Sequence, residues 1–223
     1  MINVAIDGPA GAGKSTIAKK IANDMGCMYI DTGAMYRTLA YKAITSGVDI
    51  SDTDSVTKML DNTKLDIVYK DGMQCMIADG EDVTAFIRTP DVSKGASDIS
   101  AIPYVRSWLL DTQRSLAKNN NCIMDGRDIG TVVLPFANVK IFLTASSEAR
   151  AKRRYIELVE KGQNVEFSDV LKDMETRDRN DSTRACAPLK QAEDAVYVDT
   201  SDLSFSESVD KIKAIIADKV GVF

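Results

Sequence analysis

The chain has 223 residues, 44% hydrophobic and 27% charged, which is enough to bury a sizeable core and typical of a globular protein of one domain with inserted lobes. Its 28 basic and 33 acidic residues leave a formal charge of −5, which speaks against a protein that coats polyanions through many phosphate contacts while leaving room for local basic clusters. Histidine is absent, so Ser-His-Asp triads, Cys-His dyads, His-ligated zinc and two-His iron sites are excluded. The four cysteines, Cys27, Cys75, Cys122 and Cys186, form no CxxC pair, and no signal-peptide pattern or long apolar run occurs. A reducing cytoplasm is the expected compartment, with neither export nor membrane spanning.

Val4 to Ile6 read as a short strand running into a glycine-rich segment, and Ile17, Ala18, Ile21 and Ala22 fall on one face of a following helix. A second strand, Cys27 to Asp31, ends at Thr32-Gly33 before another helix, giving a βαβ unit followed by a helix. Between about Leu65 and Ile87 two alternating runs flank Asp71-Gly72, and Asp79-Gly80 starts a further turn, which predicts a small antiparallel insertion. Helices are expected from about Pro90 to Ser100 and Tyr104 to Lys118, then strands at Cys122 to Asp125 and Val139 to Leu143. A charged helix with Arg150, Arg153 and Arg154 follows, then a polar, arginine-rich segment from Arg177 to Arg184. A strand at Ala195 to Val198 and a helix carrying Val209, Ile212, Ile215 and Ile216 complete the chain. Apolar strands alternating with helices predict an α/β fold, a parallel sheet flanked by helices with ligand loops at the carboxyl ends of its strands.

Gly8-Pro9-Ala10-Gly11-Ala12-Gly13-Lys14-Ser15 satisfies GxxxxGK[ST] and lies between a strand and an amphipathic helix, the context this phosphate loop (P-loop) requires. Small residues let successive backbone N–H groups curl around a phosphate, and the helix N-terminus adds partial positive charge. Lys14 carries an ammonium to the outer phosphates, and the Ser15 hydroxyl can hold Mg2+. Such a loop serves ATPases, GTPases and kinases alike. The one DxxG, Asp218 to Gly221, lies near the C-terminus, and no NKxD occurs, so a Ras-like GTPase is not expected and a small-molecule kinase remains.

Three further segments extend the pattern: Asp31-Thr32-Gly33-Ala34-Met35-Tyr36-Arg37, Asp125-Gly126-Arg127-Asp128-Ile129-Gly130-Thr131, and Arg177 through Leu189. With the P-loop and the hairpin insertion, they make the chain resemble the bacterial cytidylate kinases over nearly its full length. The resemblance implies a P-loop nucleoside-monophosphate-kinase fold in a single domain, 1–223. Its parts would be a CORE, an NMP-binding lobe over about 32–106 with the insertion at about 63–88, and a short LID over about 155–188. It implies transfer of the γ-phosphoryl of ATP to CMP or dCMP by a cytoplasmic monomer that needs neither nucleic acid polymer nor membrane.

By the same resemblance, Gly8 through Thr16 bind ATP, and the acceptor is held by Thr32, Tyr36, Arg37, Ser97, Arg106, Arg127, Asp128, Arg177, Asp181 and Arg184. Of these, Arg37, Arg127 and Arg184 would grip the acceptor phosphate, Ser97, Arg106 and Asp128 would read cytosine, and Arg177 and Asp181 would sit near the sugar. Lys14, Arg127, Arg177 and Arg184 would act on the reaction itself. Guanidinium groups suit this work because each can grip phosphate oxygens bidentately. The LID departs from the pattern by carrying Asn180 and Ser182 where more basic residues are expected, so Arg177, Arg179 and Arg184 would have to supply its clamp. Arg150 and Arg154 either reach ATP or form, with Arg153 and Glu157, a solvated face of helical ion pairs. Tyr36 could instead be core, and Asp128 could pair with Arg127 or cap a turn. A kinase for UMP, AMP or shikimate, or a regulatory module that binds ATP without catalysis, are the other readings.

Overall fold

Strand β1 (Asn3–Asp7) lies at the centre of a five-stranded parallel sheet of order β2-β6-β1-β7-β8. Its companions are β2 (Met28–Asp31), β6 (Cys122–Gly126), β7 (Val139–Thr144) and β8 (Val196–Asp199). Successive strand side chains point to opposite faces, and the sequence uses this alternation. Val4, Ile6 and Ile123 join Ile17 and Ile21 of α1 (Lys14–Asp24) and Ile212 and Ile216 of α8 (Phe205–Val220) in one apolar layer. Ala5, Cys122 and Met124 face the opposite layer, built on Met35 and Leu39 of α2 (Thr32–Thr45). Both faces are therefore covered, as the apolar strand runs require.

The computed structural model describes residues 1–160 and 162–221. Lys161, inside the expected LID, and the last two residues of the expected domain lie outside the described residues. Among the described residues no helix is long and apolar enough to cross a membrane.

After α3 (Thr53–Asp61), a separate antiparallel sheet comprises β3 (Leu65–Lys70), β4 (Met73–Ala78) and β5 (Glu81–Asp82). Its two-residue connections, Asp71-Gly72 and Asp79-Gly80, all have positive φ, between 51° and 90°, as type I′ hairpin turns demand of both central residues. The predicted insertion therefore has the predicted turns. Helices α4 (Pro90–Ile99) and α5 (Pro103–Asn119) follow, each with proline in its first turn, where a missing N–H costs nothing.

Two elements differ from expectation. The arginine-rich segment belongs to a helix, α7 (Phe167–Thr183), packed on α6 (Ser147–Glu160) through Val170, Met174 and Leu158. After β6 the chain makes a π-helical turn, Ile129–Val133. The N–H groups of Ile129 and Gly130 there donate to Asp7 Oδ1 and Oδ2 at 2.8 and 2.7 Å.

Strand register brings the candidate segments together. Asp7 sits beside Gly126 and Asp31 beside Asp125, so the P-loop, the start of α2 and the Arg127-Asp128 turn leave one edge of the sheet side by side. Gly8 is where this crowding is tightest. Its φ is 150°, and a Cβ there would stand 1.9 Å from the Leu143 carbonyl oxygen. Gly8→Ala is expected to destabilise the protein by about 3 kcal/mol or more, read as the shift in urea midpoint, because backbone has to move on both sides.

Candidate active site

The P-loop ends at Gly13, whose φ of 85° turns the chain into α1 with no side chain capping the helix. The first N–H groups of α1 are thus left to a ligand. Lys14 is buried, and its Nζ donates to the Pro9 carbonyl at 2.7 Å. Burial, and next the positive charge of Arg127, push its pKa down to about 7 against the pull of Asp125, Asp181 and Asp7. Beside it the Ser15 hydroxyl donates to Asp125 Oδ2 at 2.7 Å, and Tyr29 donates to Asp125 Oδ1 at 3.0 Å. Burial and the neighbouring charge of Asp31 raise the pKa of Asp125.

Ser15 faces a cavity of about 620 Å³ that spans the loop and the arginine cluster. Ala10 through Thr16 line it, and so do Thr32, Tyr36, Arg37, Ser97, Arg106, Arg127, Asp128, Arg177, Asp181 and Arg184. Gly8 and Pro9 do not; Gly8 packs on Leu143 and Pro9 presents its carbonyl to Lys14.

Helix geometry selects the arginines of α7. Arg177 and Asp181, four apart, share the face of α7 turned to the cavity and Arg184, just past the helix end, joins them, whereas Arg179 is exposed and absent from the lining. The clamp expected from Arg177, Arg179 and Arg184 therefore loses its middle member.

Each cationic group is held by a nearby acceptor. Asp31 caps α2 by accepting from the Ala34 N–H at 2.8 Å through Oδ1, and its Oδ2 takes Arg37 at 2.8 Å and Arg88 at 3.1 Å. Arg127 Nε donates to Asp181 Oδ2 at 2.8 Å, and Arg177 Nη2 donates to the Ser93 carbonyl at 3.0 Å. Arg106 pairs closely with Asp128, donates to the Ser100 carbonyl at 3.0 Å and lies over the Tyr36 ring at 5.4 Å. Arg184 approaches Asp128 to 3.6 Å and Asp181 to 4.0 Å. Asp128 thus pairs with Arg106 and Arg184, and Arg127 with Asp181, in place of the Asp128–Arg127 alternative. Burial alone would raise the pKa of Asp181, but Arg127, Arg184 and Arg177 hold it below the ordinary carboxylate value. Burial and neighbouring guanidinium groups lower the pKa of both Arg177 and Arg184.

Two donors in this cluster, Arg37 Nε and Arg184 Nη2, are buried without a hydrogen-bond partner. Arg184 Nη2 nevertheless lies within ion-pair range of Asp128 Oδ1, at 3.6 Å, and a buried donor left without a hydrogen bond costs roughly 1–3 kcal/mol.

Arg150 belongs to neither of its two expected settings. It is buried and spent on protein, donating from Nε to the Ala145 carbonyl at 2.8 Å and from Nη1 to the Ala10 carbonyl at 3.0 Å. It also pairs with Asp178 at 2.7 Å, which ties the P-loop to α7. Arg154 pairs with Glu157 at 2.8 Å, and both line the cavity. Sequence reasoning also missed Asp7, Arg88, Ser100 and the cap that Asp31 sets on α2; Asp7 and Arg88 meet partners far along the chain, whereas an aspartate just ahead of a helix start was a local signal.

Comparison with known proteins is consistent over the whole chain. A family model described as cytidylate kinase matches residues 4–218. A cytidylate kinase from Caldicellulosiruptor saccharolyticus is 49% identical over 99% of this chain and 97% of its own. One from Caldicellulosiruptor bescii is 50% identical over 95% and 93%. A solved structure of an uncharacterized protein from Eubacterium ventriosum shares the fold at 14% identity with a TM-score of 0.51, covering 97% of this chain and 99% of the other. With the P-loop, the arginines that line its cavity and the hairpin insertion in one chain, and identity near one half to these relatives, this protein belongs to the cytidylate kinase family.

Proposed function

We propose that this chain transfers the γ-phosphoryl group of ATP to CMP or dCMP, releasing ADP and the nucleoside diphosphate, within pyrimidine nucleotide metabolism. The observation that carries the reading is that a P-loop lysine shares one cavity with Arg37, Arg127 and Arg184. Lys14 and the P-loop N–H groups hold the outer phosphates of ATP. Arg37, Arg127 and Arg184 bind the CMP phosphate, while Arg177 and Asp181 flank the sugar, with Thr32 and Tyr36 walling the site. Asp128 accepts from the cytosine amine, and Arg106 and Ser97 complete the reading of the base.

The acceptor phosphate is already anionic near neutral pH, so in-line attack on the γ-phosphorus needs no strong base. The chain supplies position, compensating charge and exclusion of water. A hydroxyl hydrogen-bonded to a carboxylate, as in Ser15 and Asp125, suits a hydrated Mg2+ completed by phosphate oxygens; no protein cage of three ligands occurs among the described residues. Bound there, Mg2+ would neutralise charge on the transferring phosphates.

We assign residues from about 32 to 106, with the insertion, to the acceptor lobe, those from about 155 to 188 to the LID and the parallel sheet to the CORE. The four unpaired cysteines suit a cytoplasmic enzyme, and one chain holds every proposed group, so a monomer suffices. The test is magnesium-dependent ADP release with CMP, dCMP, UMP and AMP at equal concentration. CMP and dCMP are expected to be the fast acceptors. No ADP with either would overturn the proposal, and faster release with UMP or AMP would move the assignment to another acceptor.

Lys14 gives a second check. Its pKa of about 7 leaves it mostly neutral at about pH 8, whereas an adjacent triphosphate favours the charged form. ATP binding at that pH is therefore expected to take up most of one proton. Calorimetry in two buffers of different ionisation enthalpy reads the uptake directly, and Lys14→Met should abolish it.

A further inference from the structure

Strand β2 is an edge strand of the parallel sheet, so the backbone groups it turns away from β6 must find partners elsewhere. Two side chains of the insertion provide them. Gln74 accepts from the Asp31 N–H through Oε1 at 2.8 Å and donates from Nε2 to the Asp31 carbonyl at 3.1 Å. The Tyr69 hydroxyl donates to the Tyr29 carbonyl at 3.1 Å. Tyr69 and Gln74 stand directly opposite each other across the β3–β4 ladder, and Tyr29 and Asp31 are two apart on β2, so the match repeats along the strand. A primary amide carries one acceptor and two donors, and here it does for the sheet edge what a neighbouring peptide group would do.

Asp31 is also the carboxylate that caps α2 and holds Arg37 and Arg88, the latter at the end of the insertion. Movement of the Asp31 backbone would therefore carry Arg37 with it. The hairpin does not need Gln74 in order to stay attached, because Met76, Ala78 and Val83 bury their side chains in the main core.

We infer that the hairpin insertion positions the acceptor-phosphate site: Gln74, assisted by Tyr69, fixes Asp31 and through it Arg37. This rests on the reading that Arg37 binds the acceptor phosphate. Gln74 and Tyr69 are positioning residues that touch no substrate.

The test is a steady-state comparison of Gln74→Leu, Tyr69→Phe, Arg37→Ala and the Gln74→Leu/Arg37→Ala double variant in the full chain, with melting temperatures measured alongside. Gln74→Leu is expected to raise KM for CMP about tenfold and Tyr69→Phe about threefold, with KM for ATP changing less than about twofold. In the Arg37→Ala background, Gln74→Leu should add less than about twofold, because the route it acts through is gone. Unchanged KM for CMP in folded Gln74→Leu, while Arg37→Ala raises it, would overturn this inference and leave the site assignment standing. Unchanged KM for CMP in Arg37→Ala would overturn the assignment beneath it. An equal rise of both KM values in Gln74→Leu would mean general loosening and also overturn the inference. Should Gln74→Leu not fold, Tyr69→Phe, which loses a single hydroxyl, decides by the same split between CMP and ATP.

Discussion

Lys14→Ala is expected to lower the turnover of CMP about a thousandfold while leaving the melting temperature within a few degrees of the parent. The two halves of this result have separate causes. The ammonium is a fixed positive group at the phosphates that change charge during transfer, and removing one preorganised donor of that kind costs about 4 kcal/mol of barrier at the upper end of the measured range. In the free protein the same ammonium is buried beside Arg127, and its single hydrogen bond goes to the Pro9 carbonyl. Burial and Arg127 hold that group at a pKa of about 7, so near neutral pH it is only part-charged in the free protein and its removal takes little favourable charge pairing from the fold. A coupled ADP-release assay with a thermal melt checks both halves, and near-normal turnover would contradict the role given to Lys14.

What the sequence made legible was chemistry written in adjacent residues. The P-loop is eight consecutive positions, and the two hairpin turns are Asp-Gly pairs whose backbone freedom is local, so each came out where expected. The face of α1 formed by Ile17, Ala18, Ile21 and Ala22 is buried as its periodicity implied. Helix α7 escaped because the face that carries Arg177 and Asp181 looks into a polar cavity, leaving Val170 and Met174 as its buried apolar residues. A helix that spends one side on a site and another on solvent loses the apolar stripe that periodicity detects. The π-helical turn escaped for a different reason: Asp7, more than 120 residues upstream, takes the N–H groups of Ile129 and Gly130. No pattern local to Ile129 encodes that.

The partners found in the structure have a common logic. Arg37 rests on Asp31, Arg127 on Asp181, and Arg184 near Asp128 and Asp181. Carboxylates hold in place the guanidinium groups that the proposed reaction needs at two phosphates. Such pairing lets a cluster of like charges stay ordered, since an uncompensated buried charge would cost several kcal/mol. It also preserves rotamers, so less ordering remains to be done when the substrate arrives.

Arg127→Ala should separate the two nucleotides. The expected result is a fall of about a hundredfold to a thousandfold in kcat/KM for CMP, with the dissociation constant for ATP changing less than about threefold. Arg127 stands just before the turn held by Asp7 and reaches across to Asp181 of α7, with which it lines the cavity. Its positive charge is also the largest influence after burial that lowers the pKa of Lys14. Removing it returns Lys14 toward the charged form, which favours the triphosphate and offsets whatever attraction Arg127 itself exerted on ATP. Asp181 loses its closest cation, so its pKa should rise, and Arg127→Lys, which restores charge without the planar fork, should recover only part of the loss in CMP use. Acceptor kinetics at saturating ATP, set beside a calorimetric titration with ATP alone, make the comparison. Equal losses toward both nucleotides would remove Arg127 from the acceptor site and leave it as a general support of the P-loop.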